Sequence, residues 1–285
     1  MSKTFPHVRV CLTSISSRLS SLDLVLASLL AQDYPSFEVC LTLSSEPYML
    51  DRGVAVLPSN LQRVREDQRL KIRFAVNTGP YRKLIGPLAN CFGQDVLLAT
   101  ADDDTLYPPD WLVRMVEAYL RHHCVIAYRG HPILTEKDRY VRYRRWMTSK
   151  PQVRTGLSLL PTGKDGVLYN ARFFHPQVLD IASARALAPT TDDLWWRWHS
   201  AAVGVPVHLI NLDYTSETLP EVGSEDSLYD SFNRGGENDR VIDRLETYGR
   251  EELEFSFLGP LVRHRDQSEK RKSSADTSAA LMFAI

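Results

Sequence analysis

Short apolar runs alternate with segments of helical apolar spacing along the first half of the chain. A β-branched and apolar run at Val8–Thr13 precedes a serine-rich stretch and then helical spacing over 19–30. Further strands are predicted at Phe37–Leu43, 71–76 and 95–101. Strands that alternate with helices predict an α/β protein with a mostly parallel sheet and helices on both faces. In such sheets ligands bind beyond the carboxyl ends of the strands.

The second half of the chain continues this alternation less regularly. Aromatic residues alternate with arginines over 140–146, which is strand-like, and glycine recurs without periodicity over 156–170, which predicts a loop. The remaining predicted elements are helices at 84–91, 109–120, 193–203 and 238–248 and strands at 125–129 and 205–210.

The length of 285 residues fits one large domain. We predict a single domain over 1–262, with a nucleotide-binding half over about 1–104 and an acceptor-side half over 105–262, followed by a polar, mobile tail at 263–285.

Overall charge and cysteine content narrow the class further. The formal net charge of -1 gives no reason to expect a nucleic-acid partner. The four cysteines have no zinc-site spacing and are expected to be reduced core residues. No secretory signal or bilayer-length apolar run occurs, which predicts a cytoplasmic protein, with at most peripheral association at the inner face of the membrane.

Three adjacent carboxylates, Asp102, Asp103 and Asp104, follow the predicted strand at 95–101 directly. Their mutual repulsion would be relieved by a divalent cation, and Mg²⁺ typically takes one or two protein carboxylates together with substrate phosphates. Because residues two apart share one side of an extended segment, Asp102 and Asp104 are expected to face a common ligand. The alternative is an acidic turn before the next helix, for which Asp110 is the better cap.

A second acidic pair, Asp192 and Asp193, opens the predicted helix at 193–203. The helix dipole alone would stabilise acids there, but a rigidly held carboxylate can also act as a general base on a sugar hydroxyl. Tryptophans follow at positions 195, 196 and 198; they fit either core packing or the lining of a sugar site.

Two basic segments fit more than one interpretation. Arg82 and Lys83, near the glycine of a turn, fit either phosphate binding or a solvated turn. We interpret the basic, aromatic stretch over 137–145 as an exposed edge strand protected by charge. The same stretch also fits a phosphorylated or lipid-linked acceptor, or an anionic membrane surface.

These segments, in this order, resemble bacterial family 2-type glycosyltransferases of the Rossmann-like GT-A fold, especially a polysaccharide-associated branch. The resemblance spans about residues 8–210 and rests on Leu-Thr-Ser-Ile-Ser-Ser-Arg at 12–18, Gly-Pro-Tyr-Arg-Lys-Leu at 79–84, Thr-Ala-Asp-Asp-Asp at 100–104 with Tyr-Pro at 107–108, and Thr-Asp-Asp at 191–193.

The resemblance implies that the three aspartates form a D-x-D motif. In that motif Asp102 and Asp103 contact the nucleotide, and Asp104, with Asp102, coordinates Mn²⁺ or Mg²⁺ bridging the diphosphate.

The resemblance also assigns roles outside the triple aspartate. It implies that Asp193 is the catalytic base, with Asp192 as the second choice. It further implies that Thr13, Arg18 and Lys83 lie on the donor side of the site.

The function so implied is inverting, metal-dependent transfer of a hexose from a nucleotide-sugar donor, a UDP-sugar by default. The acceptor would be a glycan or lipid-linked glycan in surface polysaccharide or lipopolysaccharide biosynthesis. The strand-end proline is absent, Asp replaces Glu in the second motif, and the arginine-tryptophan motif and membrane helices of processive synthases are missing, which argues against processive synthesis.

Three alternatives stay open from the residues alone. A haloacid-dehalogenase-type phosphatase shares an Asp-x-Asp after a strand, although Leu106 stands where that family has Thr or Val. A nucleotidyltransferase would share the sheet, and a non-catalytic carbohydrate or nucleotide-sugar-binding protein would keep the site without turnover.

Overall fold

A computed structural model describes residues 5–213, 218–223, 229–233 and 235–259. Its strands are β1 (Val8–Thr13), β2 (Phe37–Leu43), β3 (Leu70–Phe74), β4 (Leu97–Thr100), β5 (Val125–Ala127), β6 (Gly130–Pro132), β7 (Thr135–Glu136), β8 (Arg139–Tyr140), β9 (Thr155–Gly156), β10 (Leu159–Pro161), β11 (Val167–Asn170) and β12 (Val207–Leu209). Its helices are α1 (Leu22–Leu30), α2 (Ile85–Ala89), α3 (Trp111–His122), α4 (Tyr143–Thr148), α5 (Ile181–Leu187), α6 (Asp192–Ala202) and α7 (Glu237–Glu252). The predicted tail at 263–285 lies outside the described residues.

One mixed sheet carries the fold. Its order is β3-β2-β1-β4-β11-β5-β12-β9 within the described residues, and the pairs β3-β2, β2-β1, β1-β4 and β5-β12 are parallel. The predicted bounds of the first two strands are confirmed, because their apolar runs are buried on both faces of the sheet. The expectation of a Rossmann-like, mostly parallel sheet covered by helices is confirmed.

Two predictions about local structure are wrong. The predicted loop at 156–170 contains β10 and β11, and β11 runs antiparallel between β4 and β5 in the middle of the sheet. All four residues of β11 are buried. A run this short, next to glycines, shows no hydrophobic periodicity that would identify a strand in the sequence. The strand-like stretch at 140–146 is mostly helix α4, because its aromatic residues also fall at helical spacing.

Helices cover the sheet on both sides and bury two hydrophobic clusters. Side chains of α1 and α3 pack in one cluster, and those of α2, α4, α6 and α7 pack in the other. Helix α6 is buried over most of its length, and its buried residues include the polar Arg197, His199 and Ser200. Its three tryptophans, Trp195, Trp196 and Trp198, are at most 1% exposed, so their alternative as the lining of a sugar site is wrong and core packing is confirmed.

Two further sequence predictions concern buried cysteines and membrane-spanning helices. Cys11, Cys40, Cys91 and Cys124 are free and buried, as predicted. Across the ranges given above, no helix combines the length and hydropathy needed to cross a bilayer.

Candidate active site

A cavity of about 970 Å³ opens at the carboxyl ends of β1 and β4. The acidic segment that follows β4 lies on one side of it, and the first turn of α6 lies on another. The predicted site residues meet here: the cavity is lined by Thr13, Arg18, Lys83, Asp102, Asp103, Asp104, Asp192 and Asp193. The acidic segment follows β4 at the edge where α/β sheets bind ligands, and tertiary packing brings the first turn of α6 to the same cavity.

The three aspartates after β4 alternate in exposure. The side chains of Asp102 and Asp104 are 28% and 29% exposed, whereas that of Asp103 is 8% exposed. Asp103 accepts a hydrogen bond of 2.6 Å from the Ser14 hydroxyl, and the Asp102 backbone N–H donates to the Tyr107 hydroxyl at 2.8 Å. Asp102 and Asp104 therefore face the cavity together, as the two-residue spacing predicts.

Arg18 forms ion pairs with the last two aspartates of this segment. Its Nη1 atom is 2.7 Å from Asp103 Oδ1 and 2.9 Å from Asp104 Oδ2. Burial, and then the charge of Asp102, raise the pKa of Asp104 above its usual value despite Arg18. The guanidinium of Arg18 therefore only partly stabilises the charged form of Asp104.

Lys83 joins the two acidic segments. It ends the 3₁₀ helix Gly79–Lys83 and is buried, so the interpretation of this turn as solvated is wrong. Its Nζ atom lies 3.3 Å from Asp102 Oδ1 and 3.4 Å from Asp192 Oδ2. Burial alone would lower the pKa of Lys83, but the charges of Asp192 and Asp102 outweigh this and raise the pKa well above its usual value. The ammonium group stays charged.

Asp193 has a different environment from its neighbour in the first turn of α6. Its Oδ2 atom accepts a hydrogen bond of 2.9 Å from the backbone N–H of Gly163. Burial, followed by the charge of Asp192, raises the pKa of Asp193 to about 7, although Lys83 and the Gly163 N–H oppose the shift. A carboxylate with a pKa near neutrality has the proton affinity of a general base.

Asp192 is held by its neighbours. Its Oδ2 atom accepts a hydrogen bond of 3.2 Å from Trp196 Nε1 and lies 3.4 Å from Lys83 Nζ. The residue is 6% exposed. Asp192 therefore helps to fix Lys83, whereas Asp193 lies in the cavity with one backbone donor.

Sequence reasoning missed a buried ion pair behind the first strand. Both Nη atoms of Arg82 lie 3.0 Å from Asp51 Oδ2, and Arg82 Nε donates to the Thr13 hydroxyl at 2.7 Å. Asp51 also accepts hydrogen bonds from Asn77 and from the backbone N–H of Ser16. Asp51 lies in an irregular segment, 31 residues from Arg82, and no periodic signal marks it.

Two other segments complete the cavity and were also missed. Tyr143 and Met147 of α4 line one wall. The segment 218–223 passes beside the aspartates, where the Val222 N–H donates to the Asp104 carbonyl at 2.8 Å, and Glu221 of this segment pairs with Lys164. Contacts between segments so far apart in sequence are set by tertiary packing.

The residues fit a divalent ion that substrate phosphates help to bind. Within the described ranges, no group of three or more His, Cys, Asp or Glu side chains is arranged to hold a metal by itself. Asp102 and Asp104 supply two carboxylates beside open space, and burial together with the charge of Asp102 raises the pKa of Asp104, as expected where a carboxylate has too little positive charge beside it. Such a pair is typical of Mg²⁺ sites that phosphate oxygens complete.

Structural neighbours share the fold at low sequence identity. The mannosyltransferase PcManGT from Pyrobaculum calidifontis, solved with GDP-Man and Mn²⁺, has 14% identity and a TM-score of 0.52 over 98% of this chain and 81% of its own. S. aureus TarS residues 1–349, solved with UDP, has 15% identity and a TM-score of 0.49, and the match spans 85% of this chain but only 64% of TarS 1–349. At such identities the likeness shows the fold alone.

Sequence comparison identifies the family directly. A search of curated proteins found no match. The sequence profile of glycosyl transferase family 2 matches residues 15–175, which include the triple aspartate and Gly163. Because this match covers more than half of the chain, the protein belongs to glycosyl transferase family 2 and is a glycosyltransferase of the GT-A fold.

Proposed function

We propose that the protein transfers a hexose from a nucleoside diphosphate donor to a glycan acceptor with inversion, using Mn²⁺ or Mg²⁺ and Asp193 as the base. UDP-sugars are the first donors to test, and the acceptor is assigned to surface polysaccharide or lipopolysaccharide assembly. The enzyme would work in the cytoplasm, on a free or lipid-linked glycan at the inner face of the membrane.

The observation that carries the proposal is that two acidic segments line one cavity and are joined by one buried cation. Asp102 and Asp104 face the space on the strand side, Asp193 lies on the α6 side, and Lys83 contacts Asp102. A donor diphosphate beside Arg18 and Lys83 leaves the acceptor hydroxyl within reach of Asp193. The carboxylates thus serve separate roles in one reaction.

The chemistry follows from these positions. Asp193 takes the proton from the acceptor hydroxyl as its oxygen bonds to the anomeric carbon, and the bond from that carbon to the diphosphate oxygen breaks with its electron pair on the diphosphate. Attack opposite the leaving group inverts the anomeric centre. Arg18 and Lys83 stabilise the charge that develops on the departing diphosphate.

A divalent ion, when bound by Asp104 and Asp102, would add positive charge beside the same diphosphate. Asp103 holds Arg18 through its 2.7 Å contact and so orients the donor side. The Thr13 hydroxyl donates to the Thr42 carbonyl at 2.7 Å at the end of β1, and we assign Thr13 to the donor side. Mn²⁺ and GDP belong among the first ligands to test because PcManGT was solved with Mn²⁺ and GDP-Man.

The proposal includes the domain organisation of the chain. We assign 1–262 to a single catalytic domain, whose donor half ends with the triple aspartate and whose acceptor half contains α4 and α6. Family membership sets the phosphatase, nucleotidyltransferase and non-catalytic alternatives aside.

Turnover on a donor panel tests the proposal. Purified protein would be given UDP- and GDP-hexoses with Mn²⁺ and glycan acceptors, and release of nucleoside diphosphate would be followed, with the anomeric configuration of the product read by NMR. We expect release from one nucleotide class and an inverted product. A retained configuration, or release that is unchanged in an Asp193→Asn variant, would contradict the mechanism; Asp243→Asn, at an exposed position on α7, is the matched control.

A further inference from the structure

An exposed cationic surface lies beside the cavity and has no part in the proposed reaction. Residues 139–164 contain seven basic residues and no acidic residue, in a chain of formal net charge -1. We define the arginine surface as Arg139, Arg142, Arg144 and Arg145, all of which are exposed. In the ranges that the structure covers, none of the four forms an ion pair.

Aromatic residues of the same segment fix it to the body of the protein. The Tyr140 hydroxyl donates to Glu246 of α7, and the Tyr143 backbone N–H donates to Asp239 Oδ1 at 2.6 Å. Trp146 is fully buried. The aromatic side chains face inwards and the arginines face outwards, so the positive charges are held on a rigid support.

The arginine surface is the outer side of a cavity wall. Tyr143 and Met147 are four residues apart, therefore share one face of α4, and line the cavity. The side chains of Arg144 and Arg145, on the same helix, are exposed to solvent. Whatever binds the arginines therefore lies next to the acceptor side of the cavity.

These arginines are not explained by protection of a sheet edge, and that earlier interpretation is wrong. Of the four, only Arg139 lies on a strand, the two-residue β8, which pairs with β7 outside the main sheet. Arg144 and Arg145 are adjacent in α4 and Arg142 immediately precedes the helix, so three like charges lie within four residues. These positive charges repel one another, and no acidic residue of the same segment offsets them. Such a surface is suited to binding an external anion.

Exposed apolar residues follow the arginines and favour a lipid partner over a soluble polyanion. Val153 and Leu157 are 54% and 45% exposed, Lys150 lies between α4 and Val153 in the chain, and Arg154 lies between the two apolar residues. Cations attract anionic headgroups, and apolar side chains enter the boundary beneath them. A hydrophilic polyanion would gain nothing from the valine and leucine.

We propose that the arginine surface docks the protein on an anionic lipid bilayer, with Val153 and Leu157 in the headgroup region. The α4 wall of the cavity then faces the bilayer. An acceptor carried by the membrane would enter from that side, a consequence that rests on the proposed function. Docking itself requires neither nucleotide nor turnover, so the two proposals fail separately.

Vesicle binding of the full chain tests the proposal. Sedimentation with vesicles of phosphatidylcholine and phosphatidylglycerol in equal parts would be compared with phosphatidylcholine alone. We expect binding only to the anionic vesicles, weakened by salt. The variant R142Q/R144Q/R145Q should bind about a hundredfold more weakly, at about 1 kcal/mol for each basic residue near the surface. No wild-type binding to anionic vesicles would overturn the proposal.

Matched variants distinguish the loss of a docking surface from a general effect of net charge and from misfolding. R63Q/R65Q/R73Q removes the same charge from exposed positions near β3, at the other end of the sheet, and should bind as wild type. R142K/R144K/R145K keeps the charge and should bind within a few-fold of wild type. Equal losses in the two glutamine variants would overturn the proposal.

A last comparison distinguishes lipid from a soluble polyanion. The variant V153S/L157S should bind vesicles several-fold more weakly and bind soluble polyphosphate unchanged. If it binds vesicles as wild type does, and polyphosphate competes fully with vesicles, the partner is a polyanion and the membrane proposal is wrong.

Discussion

The ammonium nitrogen of Lys83 lies 3.4 Å from a carboxylate oxygen of Asp192. The same nitrogen is 3.3 Å from Asp102, in the other acidic segment. One buried cation therefore stabilises both carboxylate clusters, and its charge also lowers the pKa of Asp193. The two acidic segments are coupled electrostatically through this residue.

Replacing Lys83 tests this coupling. In Lys83→Met the pKa of Asp193 should rise above about 7, because a charge that lowers it is gone. Turnover at neutral pH should fall about tenfold, which corresponds to one pKa unit, and the pH–rate profile should move to higher pH. Lys71→Met, at an exposed position on β3, is the control. An unshifted profile would show that Lys83 does not influence the base.

The two acids of α6 should differ in what they contribute. Asp193→Asn should lower turnover by about 10²–10⁴-fold with nucleotide affinity unchanged, because general base catalysis contributes that much. Asp192→Asn should cost about tenfold or less, since an amide oxygen can still accept from Trp196 and only the charge beside Lys83 is lost. Steady-state kinetics and nucleotide titrations measure both effects. A larger loss in Asp192→Asn would transfer the role of base to Asp192.

Stability should depend on pH through Asp193. Folding raises its pKa from 3.8 to about 7, so the folded state holds this proton more tightly than the unfolded chain. Between about pH 4 and pH 7 the unfolded chain binds fewer protons, and the free energy of unfolding contributed by this group falls as pH rises. The full shift amounts to at most about 4 kcal/mol.

Denaturant unfolding of wild type and Asp193→Asn across this pH range measures that contribution. The variant should be more stable than wild type at pH 7 and should converge with it toward pH 4. A stability difference that does not change with pH would mean that folding leaves the Asp193 carboxyl unshifted.

Gly163 packs closely against Asp193, the proposed base. A Cβ atom at this position would lie 3.1 Å from Asp193 Oδ1 and 3.3 Å from Lys83 Nζ. Both neighbours are side-chain ends that can move, so Gly163→Ala should fold but displace the base and lower turnover about tenfold to a hundredfold. Gly235→Ala is the matched control, because a Cβ atom at that exposed position would meet nothing within 4 Å, and its turnover should equal that of wild type. Equal activity of the two variants would contradict this positioning.

Sequence predicted the acidic segment after β4 and its place at the cavity because its signals are local. Long apolar runs identify β1 and β2, and the aspartates after β4 are visible as a break in an apolar run. The topology then brings them to one edge, as the general rule for α/β sheets expects.

The rest depends on tertiary contacts that a single sequence does not show. The four residues of β11 are too few to display a period, and their place between β4 and β5 is set by pairing. Asp51 and Arg82 form a buried ion pair across 31 residues, and neither position carries a local signal of burial. The helical state of Tyr143–Thr148 is decided by burial of Trp146, since its residues suit a strand equally well.

Calorimetric titration of the full chain with UDP and with GDP, each in Mn²⁺ and in chelator, tests the central claim that the acidic segment after β4 binds a metal and a nucleotide. We expect one nucleotide to bind only with Mn²⁺, and Asp104→Ala to lose that binding while Asp243→Ala keeps it. Binding that is equally tight in chelator, or that survives in Asp104→Ala, would contradict the account.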